Sequence, residues 1–266
     1  MMEHGVSWLS FLPFYDALER ALHGVQLKGM LGNPVVAQHV VAALLVVLVV
    51  MLISMKARSQ LAKASDGGLV PSEGVNARNL FEVLFEALFS QMHQIIGKDA
   101  NRYFPVIATL ALFIFFSNIL GLIPGFLPPT DNWNTTFACG GFVFLYYNYH
   151  GLRVNGIDHI IHMANPAGNT LGWFLAPLML PIEIVSHIAR PLSLGIRLAT
   201  NMVGDHAVLG AFVGLVPWLI PIPFLALGLL VCCIQTLVFV LLSMVYIGLA
   251  VQEAHHDDHH GAEAHA

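Results

Sequence analysis

The stretch Arg190-Pro-Leu-Ser-Leu-Gly-Ile-Arg197-Leu-Ala-Thr-Asn201-Met202 lies inside an apolar tract that runs from Thr170 to Val251. The formal charges of that tract are few: Glu183, Arg190, Arg197 and Asp205. A guanidinium in the hydrocarbon of a membrane costs about 2.5–3.5 kcal/mol on insertion scales. It does not escape this cost by losing its proton, because the arginine pKa is above about 12. Arg197 is therefore the first candidate functional residue.

The composition is that of a polytopic, all-α membrane protein. Of the 266 residues, 57% are hydrophobic and 10% are charged, whereas soluble domains carry about 25% charged residues. Several apolar runs reach the roughly 20 residues that cross the hydrocarbon as a helix. The net charge of −5 argues against a nucleic-acid partner.

Neither a cofactor nor a metal site is predicted. The chain contains no phosphate-binding loop of the GxxxxGK[ST] type, which argues against nucleotide chemistry of its own. Its cysteines lie in apolar runs without ligand spacing and are predicted to be small buried hydrophobes: Cys139, Cys232 and Cys233.

The N-terminal half is predicted to contain three spanning helices and one amphipathic helix on the membrane surface. Residues 1–34 are predicted to be an interfacial segment outside the membrane, and residues 35–55 are the first span. Residues 56–103 form a cytoplasmic loop that contains a surface helix at 76–97. Residues 104–150 contain two further spans, at 104–123 and 135–149. More than half of the basic residues lie between Lys56 and Arg102. By the positive-inside rule this loop is cytoplasmic, which places the N-terminus outside.

The C-terminal half is predicted to be a loop (151–169), a long helical hairpin (170–252) and a polar, His-rich tail (253–266). The first arm of the hairpin is about 45 residues long, or about 68 Å as a helix, which is twice the thickness of a bilayer. Two interpretations are open: the arm breaks at an internal proline, or it lies strongly tilted. The proline candidates are Pro177, Pro181 and Pro191. The tail is expected to be disordered and to lie in the cytoplasm.

Helical spacing gathers the polar residues of this arm on one narrow stripe. Around Arg197 the stripe collects Glu183, Ser186, Arg190, Ser193 and Asn201; Asp205 lies beside it, and His206 lies on the opposite face. One interpretation is an ion pathway, since polar groups within membranes face protein or water. The other is structural, with Glu183 paired to Arg190 and Arg197 near a helix end. Gln235 and Asn118 have the same ambiguity, as pathway residues or as helix-packing contacts.

The stretch from Pro181 to Met202 closely resembles subunit a of F-type ATP synthases, the bacterial members above all. The likeness includes Asn118 before a Gly-Leu-Ile-Pro turn and Gln235 on the last helix. It implies one span, a surface helix, two further spans, and a long, strongly tilted hairpin against a rotating ring of c subunits. It also implies a chain without catalysis of its own, with the peripheral-stalk b subunits and the rest of the complex as partners. The place implied is the bacterial plasma membrane, with the C-terminus in the cytoplasm.

The resemblance also implies roles for single residues. Arg197 matches the arginine that discharges the ring carboxylates, and Asn201 and Gln235 match its polar neighbours. Glu183 and Ser186 match positions near the inner half-channel. His206 and Asn118 match positions on the side of the outer half-channel. The chain departs from the family at Gly228, where a titratable residue is common, and at Asp205, where many relatives have a small one. The pair Asp205–His206 is then expected to supply the protonatable function, with Gly228 making room for the imidazole.

Two other classes of function fit the composition. A self-contained secondary transporter would use the buried Arg197 to bind an anionic substrate, but it would be expected to show repeated halves with broken helices. No such repeat is visible, and residues 1–150 carry no matching charged stripe. A purely structural scaffold would explain neither Arg197 nor the polar stripe.

Overall fold

The computed structural model describes residues 37–62, 77–123, 126–156, 170–215 and 221–263, together with Tyr15, Ala17, Glu19 and Arg20. The predicted N-terminal segment therefore lies almost wholly outside the described residues. Every regular element among the described residues is helical: α1 Ala37–Ala62, α2 Ala77–Ile96, α3 Ala100–Leu122, α4 Trp133–Asn155, α5 Thr170–Leu215 and α6 Pro221–Glu263. Two single 3₁₀ turns, Gly97–Asp99 and Pro129–Asp131, precede α3 and α4.

Helix α1 is longer than the predicted first span, which ended at Met55. It continues through Lys56 and Arg58 to Ala62. Lysine, arginine, glutamine and alanine are all good helix formers, so the helix does not stop where the apolar run stops. The hydrophobic pattern therefore placed the apolar part of this helix but not its end.

Helix α2 agrees with the helix predicted at 76–97, and it packs against α3. The two are joined at Gly97, whose φ of +80° is a conformation that residues with a side chain rarely adopt. Phe104 of α3 packs edge-on against Phe85 and Phe89 of α2, with ring centroids 5.6 and 5.4 Å apart. The turn thus folds α2 back against α3.

By length and composition, three helical segments among the described residues could cross a membrane: Gln38–Ala62, Phe81–Leu122 and Pro223–Val251. The second segment runs through the turn at Gly97. It includes most of α2, which the sequence pattern assigned to the membrane surface. Helix α4, with its asparagines, tyrosines and Arg153, is not among the three. Membrane crossing by α4 and by the first arm of the hairpin remains a prediction.

Helix α5 is unbroken over its 46 residues, although Pro177, Pro181 and Pro191 all lie inside it. The interpretation that the arm breaks at a proline was wrong. At about 1.5 Å per residue the helix extends about 69 Å, about twice the thickness of a bilayer, and its strong tilt stays a prediction.

Helix α6 begins at Pro221 and continues to Glu263, so the expectation of a disordered tail was also wrong. Extending an existing helix adds one hydrogen bond per residue without a new nucleation step. The alanine and glutamate residues of the tail favour that extension.

Helix α6 packs on four other helices, α2, α3, α4 and α5. The most extensive contact between two helices is that of α4 with α5. The crossing of α4 and α5 is close: a Cβ atom on Gly140 would stand 2.7 Å from the carbonyl oxygen of Pro191. The fully buried side chains where α2, α3, α4 and α6 meet include Met92, Tyr103, Ile107, Tyr147, Phe239, Met244 and Ile247. This core fixes the hairpin relative to the N-terminal helices.

Candidate functional site

A hydrogen bond between two predicted residues joins the arms of the hairpin. The amide nitrogen Nδ2 of Asn201 donates to Oε1 of Gln235, at 2.7 Å. Gln235 is 3% exposed and lies near the middle of the apolar segment Pro223–Val251. The bond therefore holds Asn201, and with it the preceding turn that carries Arg197, near the middle of that segment.

Arg197 lies on the exposed side of α5. The residue is exposed, and its guanidinium makes no hydrogen bond or ion pair with any other residue that the structure describes. Large apolar side chains that are also exposed precede and follow it on the helix: Leu192, Ile196 and Val203. At Arg197 the predicted polar stripe therefore faces away from the interior of this chain. The positive charge of Arg197 is flanked by exposed apolar side chains.

A second polar group lies further towards the start of α5. The carboxylate oxygen Oε1 of Glu183 is 3.5 Å from Nε2 of His187 and 3.9 Å from a guanidinium nitrogen of Arg190. The predicted proximity of Glu183 and Arg190 is thus confirmed. Nδ1 of His187 lies 2.9 Å from the hydroxyl of Tyr147 on α4. Ser186 is partly exposed beside this group.

Sequence reasoning did not single out His187 or Tyr147. The spacing of four residues between Glu183 and His187 is a usable signal, because it places both side chains on one helix face. Tyr147 carries no such signal, since it is distant in the chain and meets His187 only through the crossing of α4 and α5.

A third region brings together Asn118 and Asp205. Both line a cavity of about 120 Å³ between α3, α5 and α6, whose other walls include Met202, Gly228 and Cys232. Oδ1 of Asn118 accepts a hydrogen bond from the hydroxyl of Thr130, at 2.9 Å. Its Nδ2 is buried and has no hydrogen-bond partner among the described residues. A cavity of this size has room for several water molecules, each of which needs about 10–15 Å³, and Asn118 and Asp205 offer them polar partners.

Gly228 forms part of the wall of this cavity. A Cβ atom at this position would approach Cδ2 of Leu122 to 2.7 Å, so the space beside the glycine is taken up by Leu122. The side chain of His206 lies outside what the structure describes. The expectation that Gly228 makes room for the imidazole therefore stays a prediction.

The family model of the ATP synthase A chain matches residues 38–248 of this chain. The chain belongs to the ATP synthase subunit a family. ATP synthase subunit a of Bdellovibrio bacteriovorus is 46% identical over 200 residues, which cover 75% of this chain and 85% of that protein. Subunit a 1 of Syntrophotalea carbinolica is 45% identical over 254 residues, 96% of this chain and all of that protein. Subunit a of Geobacter sulfurreducens is 39% identical over 247 residues, 93% of this chain and 98% of that protein.

Membership in the subunit a family confirms the resemblance on which the residue assignments were built. Subunit a is a non-catalytic component of the membrane sector, so this chain is a membrane protein without an ATP-hydrolysing site of its own. The cysteines, by contrast, are only in part as predicted. Cys139 and Cys232 are buried, but Cys233 is exposed. No two of the three are bridged.

Proposed function

We propose that this chain is the stator subunit that carries protons across the membrane in ATP synthase, with Arg197 as the residue that discharges the carboxylates of the c-subunit ring. The exposed position of Arg197 is the observation that carries the proposal. Within an apolar face, an uncompensated guanidinium is costly. A carboxylate on a neighbouring subunit removes that cost, and no described residue of this chain does.

The discharge of the rotor carboxyl follows from the permanent charge of Arg197. A rotor carboxyl crosses lipid in its neutral form, because a buried carboxylate is strongly disfavoured. When it reaches Arg197, the guanidinium favours the ionised form, and the proton is released. Arg197 does not release its own proton, so it also prevents a direct proton path between the two sides. The membrane potential supplies about 2.3 kcal/mol per proton for each 100 mV.

Two groups of residues would lead protons to and from this point. The cavity with Asn118 and Asp205 suits the outer half-channel, together with His206, because it places two polar side chains beside a volume with room for water. The cluster around Glu183, with Ser186 beside it, suits the inner half-channel. Asn201 and Gln235 lie between the two groups and hold the arms of the hairpin together at the level of Arg197.

The proposal includes the partners and the orientation. The exposed face around Arg197 is the surface for the c-subunit ring, and the b subunits of the peripheral stalk hold the chain against rotation. The host membrane is a bacterial plasma membrane, with the N-terminus outside and the C-terminus in the cytoplasm. The abundance of basic residues between Lys56 and Arg102 supports this orientation.

Replacement of the arginine tests the proposal directly. In inverted membrane vesicles, Arg197→Ala is expected to abolish ATP-driven proton pumping, while the amount of assembled complex stays the same. A matched control is Thr200→Ala, since Thr200 is also exposed and its hydroxyl bonds only to carbonyl oxygens of its own helix. This control is expected to pump normally.

Normal pumping by the Arg197→Ala variant would refute the proposal. Purification separates it from the transporter hypothesis: a ring of small hairpin subunits that co-purifies with the chain supports the stator role. A chain that purifies alone and binds an anionic substrate through Arg197 would instead establish a transporter.

A further inference from the structure

Three ionisable side chains form a connected chain that runs from the surface of α5 into the core. Glu183 is the most accessible, with 36% of its side chain exposed, while the His187 side chain is 12% exposed. Tyr147, at the inner end, is 1% exposed and belongs to the buried core. The separations are 3.5 Å from Glu183 Oε1 to His187 Nε2 and 2.9 Å from His187 Nδ1 to the Tyr147 hydroxyl.

The two ring nitrogens of His187 are therefore held in different surroundings. A tyrosine hydroxyl can accept as well as donate a hydrogen bond. When Tyr147 accepts a hydrogen bond from Nδ1–H, the proton of the neutral ring stays on Nδ1. Nε2 then presents its lone pair to the Glu183 carboxyl group. The hydrogen bond made by one ring nitrogen thus decides which nitrogen is free to react.

The charges around the ring are balanced between two effects. The Glu183 carboxylate favours a positive imidazolium. Arg190, on the same helix, opposes it, since its guanidinium lies 3.9 Å from Glu183 and 5.3 Å from the ring centre of Tyr246 on α6. Arg190 also interacts electrostatically with Tyr147, and the rings of Tyr147 and Tyr246 are 6.0 Å apart. Histidine is the side chain whose ordinary pKa lies between about pH 5 and 8.

We infer that His187 is a proton-exchanging residue of the inner pathway and that Tyr147 is its positioning residue. This inference rests on the proposed function. In the proposed step a proton moves from Glu183 to His187. The O–H bond of a protonated Glu183 breaks, and an N–H bond forms at Nε2 of His187. The products are a carboxylate and an imidazolium, whose Nδ1–H remains bonded to Tyr147. Loss of the proton from Nε2 to water on the cytoplasmic side returns the ring to its neutral state.

Two substitutions separate this role from simple packing. His187→Gln keeps a polar side chain that does not titrate, and Tyr147→Phe removes only the hydroxyl. The measurement is ATP-driven proton pumping by the whole complex in inverted vesicles, with the pH of the cytoplasmic face varied from about 5.5 to 8.5. Tyr146→Phe is the matched control, because its ring contacts Tyr103 and His150 instead of His187.

We expect His187→Gln to lower pumping several-fold and to remove one pH-dependent transition from the profile. Tyr147→Phe is expected to move that transition along the pH axis, because the imidazole loses the hydrogen bond that positions its Nδ1. Tyr146→Phe should keep the original profile. Profiles of unchanged shape in both His187→Gln and Tyr147→Phe would overturn the inference, whether the rates are normal or uniformly lowered.

The result is independent of the test of the stator role. If Arg197→Ala still pumps normally, the proposed function itself fails. If Arg197→Ala is inactive while His187→Gln keeps the original pH profile, only the proton-exchanging role of His187 is refuted.

Discussion

At the scale of single residues, the Asn201–Gln235 bond bears on the two roles that the sequence left open for Gln235, of which the pathway role stays a prediction. It joins the two arms of the hairpin, as a helix-packing contact does. It also lies one turn from Arg197, as a pathway residue should. The amide Nε2 of Gln235 is buried without a hydrogen-bond partner among the described residues, so both of its N–H donors stay available.

The strength of this bond can be measured with a double-mutant cycle. Asn201→Ala, Gln235→Ala and the double variant are expected to show a coupling energy of about 0.5–1.5 kcal/mol, because polar contacts between membrane helices are worth about that much. The measurement is the free energy of unfolding in mixed detergent micelles. Thr200→Ala combined with Gln235→Ala is the control cycle and should be additive. Additivity in the first cycle as well would mean that the bond does not hold the hairpin.

At the scale of helices, α4 and α5 approach each other closely at two glycines. Gly140 lies against the carbonyl of Pro191, and Gly195 lies against Phe137, whose ring would be 3.0 Å from an added Cβ atom. Small residues at such crossings let membrane helices approach closely. The adjacent Gly141, by contrast, has nothing within 4 Å of an added Cβ atom.

These two neighbouring glycines provide a matched test of the crossing. Gly140→Ala is expected to lower the free energy of unfolding by about 1–3 kcal/mol, because the new methyl group meets a backbone oxygen that cannot move aside. Gly141→Ala should be neutral or stabilising by up to about 1 kcal/mol, since alanine is the better helix former. The same micelle unfolding assay measures both variants. Equal effects from the two substitutions would contradict a close crossing at Gly140.

At the scale of the whole molecule, the arrangement in the membrane can be tested by labelling single cysteines in a chain without its native ones. An impermeant maleimide should label Lys98→Cys only from the cytoplasmic side and Leu127→Cys only from the outside. Val83→Cys decides the place of α2. Val83 is 61% exposed on that helix, and it should react from the cytoplasmic side if α2 lies on the surface. A Val83→Cys variant that reacts from neither side would place α2 within the hydrocarbon.

Much of the fold could be predicted from hydrophobic pattern, because apolar length is what a membrane helix requires. The pattern located the six helices that the structure describes, but it missed the end of α1 at Ala62, the end of α4 at Asn155 (predicted at Tyr149, with a loop from residue 151) and the helical continuation of α6 to Glu263. These errors have the same cause: a helix ends where its backbone hydrogen bonds end, and not where the apolar side chains end. Nor could sequence decide whether Pro191 breaks α5, since that depends on the helix packed against it.

For the candidate site, sequence was most informative about residues that share a helix face. Glu183, Arg190 and Arg197 follow from spacing alone. Contacts between distant parts of the chain were accessible only by resemblance, as for Asn201 and Gln235, or not at all. Tyr147 is the clearest example, since its role depends on a crossing that is set by two glycines in different helices.

The backbone contact at Gly140 has a mechanical consequence. Side chains between two helices can rotate and yield under load, whereas a carbonyl against a glycine has no such freedom. A sideways force on α5 would therefore pass through Pro191 into α4 with little deformation of the contact. Under the proposed stator role, the missing methyl group at Gly140 keeps this chain rigid while the ring turns.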